Sequence, residues 1–140
     1  MITFSYFEHL ERLKEIFDVN DSAETRYRKI IELGASLPLL PPEERLETHL
    51  VPGCQSLLYL KAFSEGDKLF FKAYSDALIS KGLIALLIQV YSGLDPLTII
   101  KQPPTFLKEW NLLQNLSPSR SNGVASAYLK MQQLAIRNIS

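Results

Sequence analysis

The chain has few of the residues that metal and disulfide sites need. Its 140 residues include one cysteine and two histidines. A single cysteine cannot form an internal disulfide, which fits a reducing compartment, and zinc or an iron–sulfur cluster needs several thiolate or imidazole ligands. We therefore expect no metal and no cofactor bound by this chain, and a cytoplasmic location.

Targeting and membrane segments are also missing from the sequence pattern. Residues 1–8 lack the basic stretch followed by an apolar core that is typical of a secretion signal. The longest apolar run, residues 83–88, is too short to cross a bilayer. We expect no association with a membrane.

The sequence has no excess of either charge. Fifteen basic and fifteen acidic residues give a formal net charge of +0, which argues against a nucleic-acid partner bound through its phosphates. The balance conceals an asymmetry, because residues 1–53 carry ten acids and six bases, whereas residues 101–140 carry one acid and five bases. This polarity either suits docking to another protein or reflects only which helices face solvent.

Length and composition predict one domain covering residues 1–140. A mass of 15.9 kDa with 46% hydrophobic residues is enough to bury a core. The order of predicted elements is two helices, a small sheet and then several helices. This order predicts an α+β fold in which a small antiparallel sheet packs against segregated helices.

Local chemistry marks most of the predicted helix starts. Residues 5–8 form a capping-box pattern for the first helix, and residues 21–24 form one for the second. Residues 95–96 and 117–118 each place a capping side chain before a proline, the usual start of a helix. A further short helix is predicted over residues 105–113.

The third helix is predicted to be the central one. Its middle is apolar nearly all round, which is typical of a helix buried on every side. We expect Ser75 or Asp76 to cap this helix, and we expect the helix to end near Tyr91. Gly82 inside this helix costs about 1 kcal/mol relative to alanine. A glycine at such a position implies the close approach of another backbone, or a packing site for a small residue.

Three segments have the pattern of strands. Residues 57–63 and 68–74 are predicted to pair through a hairpin turn at residues 64–67, and residues 48–51 are predicted as a very short strand. These segments would form the small antiparallel sheet.

The single cysteine follows directly on a predicted turn. Pro52 and Gly53 suit the two central positions of a type II turn, the second of which needs a positive φ. A thiol on such a loop is within reach of another protein. A lone cysteine is nevertheless most often a small buried residue without chemical duty. Two interpretations therefore stand: a reactive carrier, and a non-covalent adaptor or regulator with an inert Cys54.

Histidine chemistry offers a third and weaker interpretation. His49 lies five residues before Cys54, and a Cys–His hydrolase is conceivable, but no third orienting residue is evident. His9, beside Glu8 on a predicted surface helix, is expected to be solvated. The remaining chemistry for a solitary exposed thiol is to accept a group and pass it on. Without a second cysteine, a persulfide on Cys54 would not collapse to an internal disulfide.

The segment around Cys54 resembles the sulfur-acceptor loop of the SufE family. Residues 51–56 read VPGCQS. Residues 75–83 (SDALISKGL) and 116–123 (LSPSRSNG) resemble two further blocks of that family, and residues 26–38 resemble its second helix. The similarity spans about residues 24–136. Three blocks in the same order and with similar spacing identify the chain as a SufE-family member.

The resemblance implies a function and partners. SufE proteins accept sulfur from a cysteine desulfurase, a pyridoxal-phosphate enzyme, which they stimulate, and they feed iron–sulfur cluster assembly. It implies a three-stranded antiparallel sheet packed against several helices, a fold related to that of cluster scaffolds. The partners would be a SufS-like cysteine desulfurase and a downstream iron–sulfur scaffold. The chain would carry a transient persulfide without being an enzyme itself, and pyridoxal phosphate would belong to the partner. The oligomeric state is left open, a weak homodimer being one alternative.

The resemblance also assigns roles to residues. Cys54 would be the persulfide carrier. The loop around it would be shaped by Gly53, Gln55 and Ser56. Asp76 and Arg120 would lie near that loop, and Arg120 would either favour the thiolate by its charge or cap or salt-bridge the last helix.

Two positions depart from the family pattern. The family usually has asparagine where His49 stands and tryptophan where Tyr59 stands. His49 would add a titrating group beside the thiol. Neither change affects the sulfur-carrying residue.

Overall fold

The computed structural model describes residues 2–54 and 56–139, with side chains from Tyr6 onward. The predicted α+β class is confirmed: a two-stranded antiparallel sheet packs against helices in the described part of the chain. Short 3₁₀ segments occupy Gly34–Ser36, Pro42–Glu44 and Glu47–His49. The helices and strands are α1 (Ile2–Lys14), α2 (Ala23–Leu33), β1 (Leu58–Glu65), β2 (Lys68–Ser75), α3 (Leu78–Tyr91), α4 (Pro96–Lys101), α5 (Phe106–Glu109) and α6 (Pro118–Arg137).

Three of the predicted helix caps are confirmed. Ser22, Asp95 and Ser117 each accept a hydrogen bond from the backbone N–H three residues later, which satisfies a donor that the first helical turn leaves unpaired. The first helix begins at Ile2, before the predicted cap, and the side chain of Ser5 lies outside the described residues. Helix α5 is shorter than predicted, because Asn111 has a φ of 58° and cannot continue a right-handed helix.

The predicted cap of α3 is wrong. The capping position is Ala77, which makes no side-chain hydrogen bond to the helix. Ser75 cannot cap the helix because it is the last residue of β2, where it pairs with Leu58 and is buried. The helix ends at Tyr91 as predicted.

Helix α3 is the centre of the core. Its side chains are buried along almost its whole length, as its all-round apolar sequence predicted. The close approach expected at Gly82 is confirmed, because a Cβ placed there would lie 2.0 Å from the carbonyl oxygen of Ile30 in α2. The two helix backbones therefore touch at this point.

The sheet has two strands rather than three. Strands β1 and β2 pair antiparallel from Leu58–Ser75 to Glu65–Lys68, through a tight turn in which Gly66 has a φ of +63°. The predicted strand over residues 48–51 is wrong, because its first two residues belong to the 3₁₀ segment Glu47–His49. What remains is one isolated antiparallel bridge between Leu50 and Tyr59.

The last helix has two different faces. Its predicted apolar stripe is confirmed, with Val124, Ala127, Tyr128 and Met131 buried in the core. The other face carries Gly123, Ser126 and Lys130 towards the segment that precedes β1. We call these three residues the α6 platform.

Two further observations concern expectations from the sequence. His9 is not solvated as predicted, because its ring is half-buried and Nδ1 lies 2.8 Å from the carbonyl oxygen of Val90. None of the helices in the described part of the chain is long and apolar enough to span a membrane.

Candidate functional site

The cysteine lies on a short loop that is closed at its base. Val51 is buried, and its N–H donates to the carbonyl oxygen of Leu58 at 2.9 Å. Between these two paired residues lie Pro52, Gly53, Cys54, Ser56 and Leu57. Gly53 has a φ of +78°, as the second central position of a type II turn requires. The turn therefore directs Cys54 back towards the body of the domain.

The thiol is half-buried against α6. Sγ of Cys54 lies 3.8 Å from the carbonyl oxygen of Gly123, and the residue packs against the edge of the core. Burial raises the pKa of the Cys54 thiol above its ordinary value. Because the thiolate is the nucleophile, this environment lowers the reactivity of the thiol while the loop is at rest.

Cys54 also lines an open groove of about 610 Å³. Ser56, Leu57 and Lys130 of α6 line the same groove. Leu57 is 43% exposed. The thiol thus has a protected side and an accessible side.

The α6 platform contacts successive parts of the loop. Gly123 contacts Cys54, and a Cβ placed at Gly53 would lie 3.1 Å from Oγ of Ser126. The platform residues are spaced by three and four positions, so they share one helix face. Sequence reasoning placed Gly123 only within a family block and missed Ser126 and Lys130. The available signal was the spacing of these three residues beside the apolar stripe.

Lys130 makes the strongest contact of the platform. Its Nζ donates to the carbonyl oxygen of Thr48 at 3.0 Å and to that of Leu50 at 3.3 Å. Burial lowers the pKa of Lys130, and the positive charge of Arg137 lowers it further. These two hydrogen bonds attach the segment before the turn to α6.

His49 lies near the site without reaching the thiol. It ends the segment Glu47–His49, is half-buried, and makes no hydrogen bond to Cys54 among the described residues. Burial lowers the pKa of His49. The positive charges of Lys61 and Lys130 also lower it, with a smaller opposing effect from Glu44. The imidazole is therefore mainly neutral at neutral pH.

Arg120 lies one turn before the platform. Its Nη1 donates to the hydroxyl oxygen of Tyr27 in α2 at 3.1 Å. It also lines a small cavity of about 20 Å³ together with Leu58 and Gly123, which brings it close to the loop. Stabilisation of a sulfur anion by Arg120 stays a prediction.

The remaining predicted residues lie at the same end of the hairpin or outside the described residues. Asp76 is exposed and directly follows the Ser75–Leu58 pair, at the end of the hairpin where the cysteine loop begins. Gln55 lies outside the described residues. No group of three or more histidine, cysteine, aspartate and glutamate side chains in the described residues is placed to hold a metal ion.

Fold and site together define a class: a small α+β domain that presents one thiol from a loop, half protected by a helix and half open. The family model of SufE, described as an Fe-S metabolism associated domain, matches residues 11–135. The chain belongs to the SufE family, and its role lies in iron–sulfur metabolism.

Relatives from several organisms agree with this assignment. The chain is 34% identical to an uncharacterized SufE-like protein of Synechocystis, over 91% of this chain and 80% of the relative. It is 35% identical to an uncharacterized SufE-like protein of Rhizobium etli, over 93% and 91% of the two chains. A chloroplastic or mitochondrial SufE-like protein of Arabidopsis is 30% identical over 91% of this chain, which spans 34% of that longer protein.

A solved structure shares the fold. The solution structure of a hypothetical protein from Thermus thermophilus superimposes with a TM-score of 0.77, at 26% identity, over 93% of this chain and 95% of the other.

Proposed function

We propose that this protein is a sulfur acceptor that takes persulfide sulfur from a cysteine desulfurase onto Cys54. The observation that carries the proposal is the placement of Cys54, the single cysteine of the chain, after a turn and between a helix and an open groove. In a SufE-family chain, this is the residue with the chemistry and the access to accept sulfur.

The transfer step is a thiol–persulfide exchange. The thiolate of Cys54 attacks the terminal sulfur of a persulfide on the desulfurase. A new S–S bond forms on Cys54, the S–S bond on the desulfurase breaks, and the electron pair of that bond leaves with the desulfurase cysteine as its thiolate. The terminal sulfur moves with no net oxidation or reduction. Removal of the persulfide restores the desulfurase for another turnover, which accounts for stimulation.

Burial of the resting thiol gives the carrier two states. Against α6 the thiol has a raised pKa and one shielded side, which disfavours reaction with unrelated oxidants and electrophiles. Docking on a partner would turn the loop outward, where water or partner groups stabilise the thiolate. No other thiol exists in the chain to displace the acquired sulfur.

In this proposal the cofactor is bound by a partner and not by this chain, and a second partner receives the sulfur. Pyridoxal phosphate belongs to the SufS-like desulfurase, and Cys54 then passes its sulfur to an iron–sulfur scaffold. The protein activates an enzyme without being one, and it acts in the cytoplasm.

One observation favours the alternative of a non-covalent adaptor with an inert cysteine. A half-buried thiol whose pKa is raised by burial is also what an unreactive core cysteine displays. The adaptor would stimulate the desulfurase by contact alone, and Cys54 would fill space.

Replacement of the thiol tests the proposal. The Cys54→Ser variant is expected to keep the wild-type fold, because serine is of similar size, and to lose stimulation of the desulfurase. Wild type incubated with desulfurase and cysteine should gain one sulfur atom in the intact mass, and the variant should gain none. Ser64→Ala, an exposed change at the far end of the hairpin, is the matched control and should behave as wild type.

Two outcomes would contradict covalent transfer. Full stimulation by Cys54→Ser would support the adaptor and exclude transfer through this residue. Absence of any sulfur gain in wild type, with an active desulfurase present, would do the same.

A further inference from the structure

The cysteine loop is held by contacts of unequal strength. Near the thiol, the contacts with α6 are weak, since Sγ of Cys54 lies 3.8 Å from its carbonyl partner and Gly53 only packs against Ser126. Before the turn, Lys130 binds two backbone carbonyls with an ammonium group, and hydrogen bonds from a charged donor are roughly twice as strong as neutral ones.

The charge of Lys130 is directed at these carbonyls alone. The ion pairs in the described residues are Lys29–Asp21 and Lys61–Glu44, so Lys130 is paired with no carboxylate. The bond to Thr48 is exposed to solvent, whereas the bond to Leu50 is partly buried and therefore less screened. A backbone bridge at Leu50 and the Val51–Leu58 pair complete the attachment on the sheet side.

We infer that Lys130 is the positioning residue of the cysteine site: it fixes the carbonyls of Thr48 and Leu50 on α6 and so sets the loop in the position where Cys54 rests against Gly123. Hydrogen bonds attach the segment before the turn to both α6 and β1. The turn itself makes only weak contacts with α6. The inference concerns how the site of the proposed sulfur acceptor is held, and its geometry does not depend on a partner.

Removal of the ammonium group should release the thiol. The variant Lys130→Met keeps most of the aliphatic stem and loses both hydrogen bonds. We expect alkylation of Cys54 by iodoacetamide, at fixed pH, to become about tenfold faster, because the shielded position of the loop is less populated. Lys130→Arg restores a charged donor and should return the rate towards that of wild type.

The control distinguishes positioning from general stability. Lys101→Met removes an exposed lysine at the end of α4 and should change neither the alkylation rate nor the thermal midpoint. The midpoint of Lys130→Met should stay within a few degrees of wild type while its thiol becomes more reactive. An alkylation rate within twofold of wild type, or no recovery with arginine, would overturn the inference.

A second measurement uses the wild-type protein and does not depend on the variant folding. In competitive acetylation of the native protein, with each rate corrected for the fraction of neutral amine obtained from its pH dependence, Lys130 should react several times more slowly than Lys101, because its Nζ is engaged with two carbonyls. Equal rates would overturn the inference.

The same variants separate this inference from the proposed function. Alkylation needs no desulfurase, so an unchanged rate in Lys130→Met removes the positioning role even if sulfur transfer is real. Faster alkylation, with no sulfur gained from a desulfurase by either protein, removes the proposed function and leaves Lys130 in its role.

Discussion

Two helical glycines, Gly82 in the core and Gly123 at the site, show how differently the two regions are packed. A Cβ added at Gly82 would lie 2.0 Å from the carbonyl oxygen of Ile30, a distance that no side chain tolerates. A Cβ added at Gly123 would lie 3.5 Å from Sγ of Cys54, an ordinary van der Waals contact. In the core, the backbones of α2 and α3 are therefore in direct contact. At the site, the space between α6 and the cysteine loop is large enough for a methyl group.

The largest effect is expected from Gly82→Ala. Alanine favours a helix by about 1 kcal/mol over glycine, but the clash with the α2 backbone should outweigh this gain and cost about 3 kcal/mol or more of the free energy of unfolding. Chemical denaturation monitored by circular dichroism measures the loss. A variant as stable as wild type would mean that α2 and α3 can separate and that the contrast between the two glycines is false.

The matched change at the site, Gly123→Ala, should have the opposite sign. Here the helix propensity of alanine operates without a clash, so the free energy of unfolding should rise by up to about 1 kcal/mol. The new methyl group contacts Sγ, and alkylation of Cys54 should become slower because the shielded side of the thiol is better filled. Loss of stability would show that α6 and the loop are packed as tightly as the core.

The smallest effect is expected from His49→Asn, which removes the titrating group near the loop. The pKa of His49 is lowered in the folded protein by burial and nearby positive charges, so the unfolded chain binds its proton more readily. The contribution of His49 to the free energy of unfolding is therefore fully present above its ordinary pKa of 6.5. This contribution is lost as the pH falls through and below that value. Thermal midpoints measured between pH 7.5 and 5 should fall less steeply for the variant. The same pH dependence of the thermal midpoint in both proteins would show that His49 is fully solvated rather than partly buried.

Local chemistry explains why much of the fold could be predicted from the sequence. The caps at Ser22, Asp95 and Ser117 depend on a hydrogen bond to a residue three positions away, and the turn before Cys54 depends on two adjacent residues. The close contact at Gly82 could be predicted because glycine is unfavourable within a helix unless packing requires it.

The parts that could not be predicted depend on residues far apart in the sequence. Residues 48–51 have the composition of a strand, but Lys130, about eighty positions later, binds two of their carbonyls. Ser75 was expected to cap α3, but its pairing with Leu58 keeps it in the sheet. The half-burial of Cys54 depends on the packing of α6, which no local pattern records.

The predicted solvation of His9 failed for the same reason. The preceding residue, Glu8, is charged, but the ring of His9 meets the last turn of α3 at Val90. For the site, sequence comparison with a family located the thiol, whereas the platform that holds it was evident only from the packed structure.

The hydrogen-bonded pair of Val51 and Leu58 limits how far the Cys54 residue can move away from the domain. Cys54 is three residues beyond Val51, and an extended chain spans at most about 3.3–3.6 Å per residue, so a tether of about 10 Å is all that the loop allows while this pair holds. If the proposed sulfur transfer takes place with this pair intact, the sulfur of the donor must lie within that distance of Val51 when the two proteins meet.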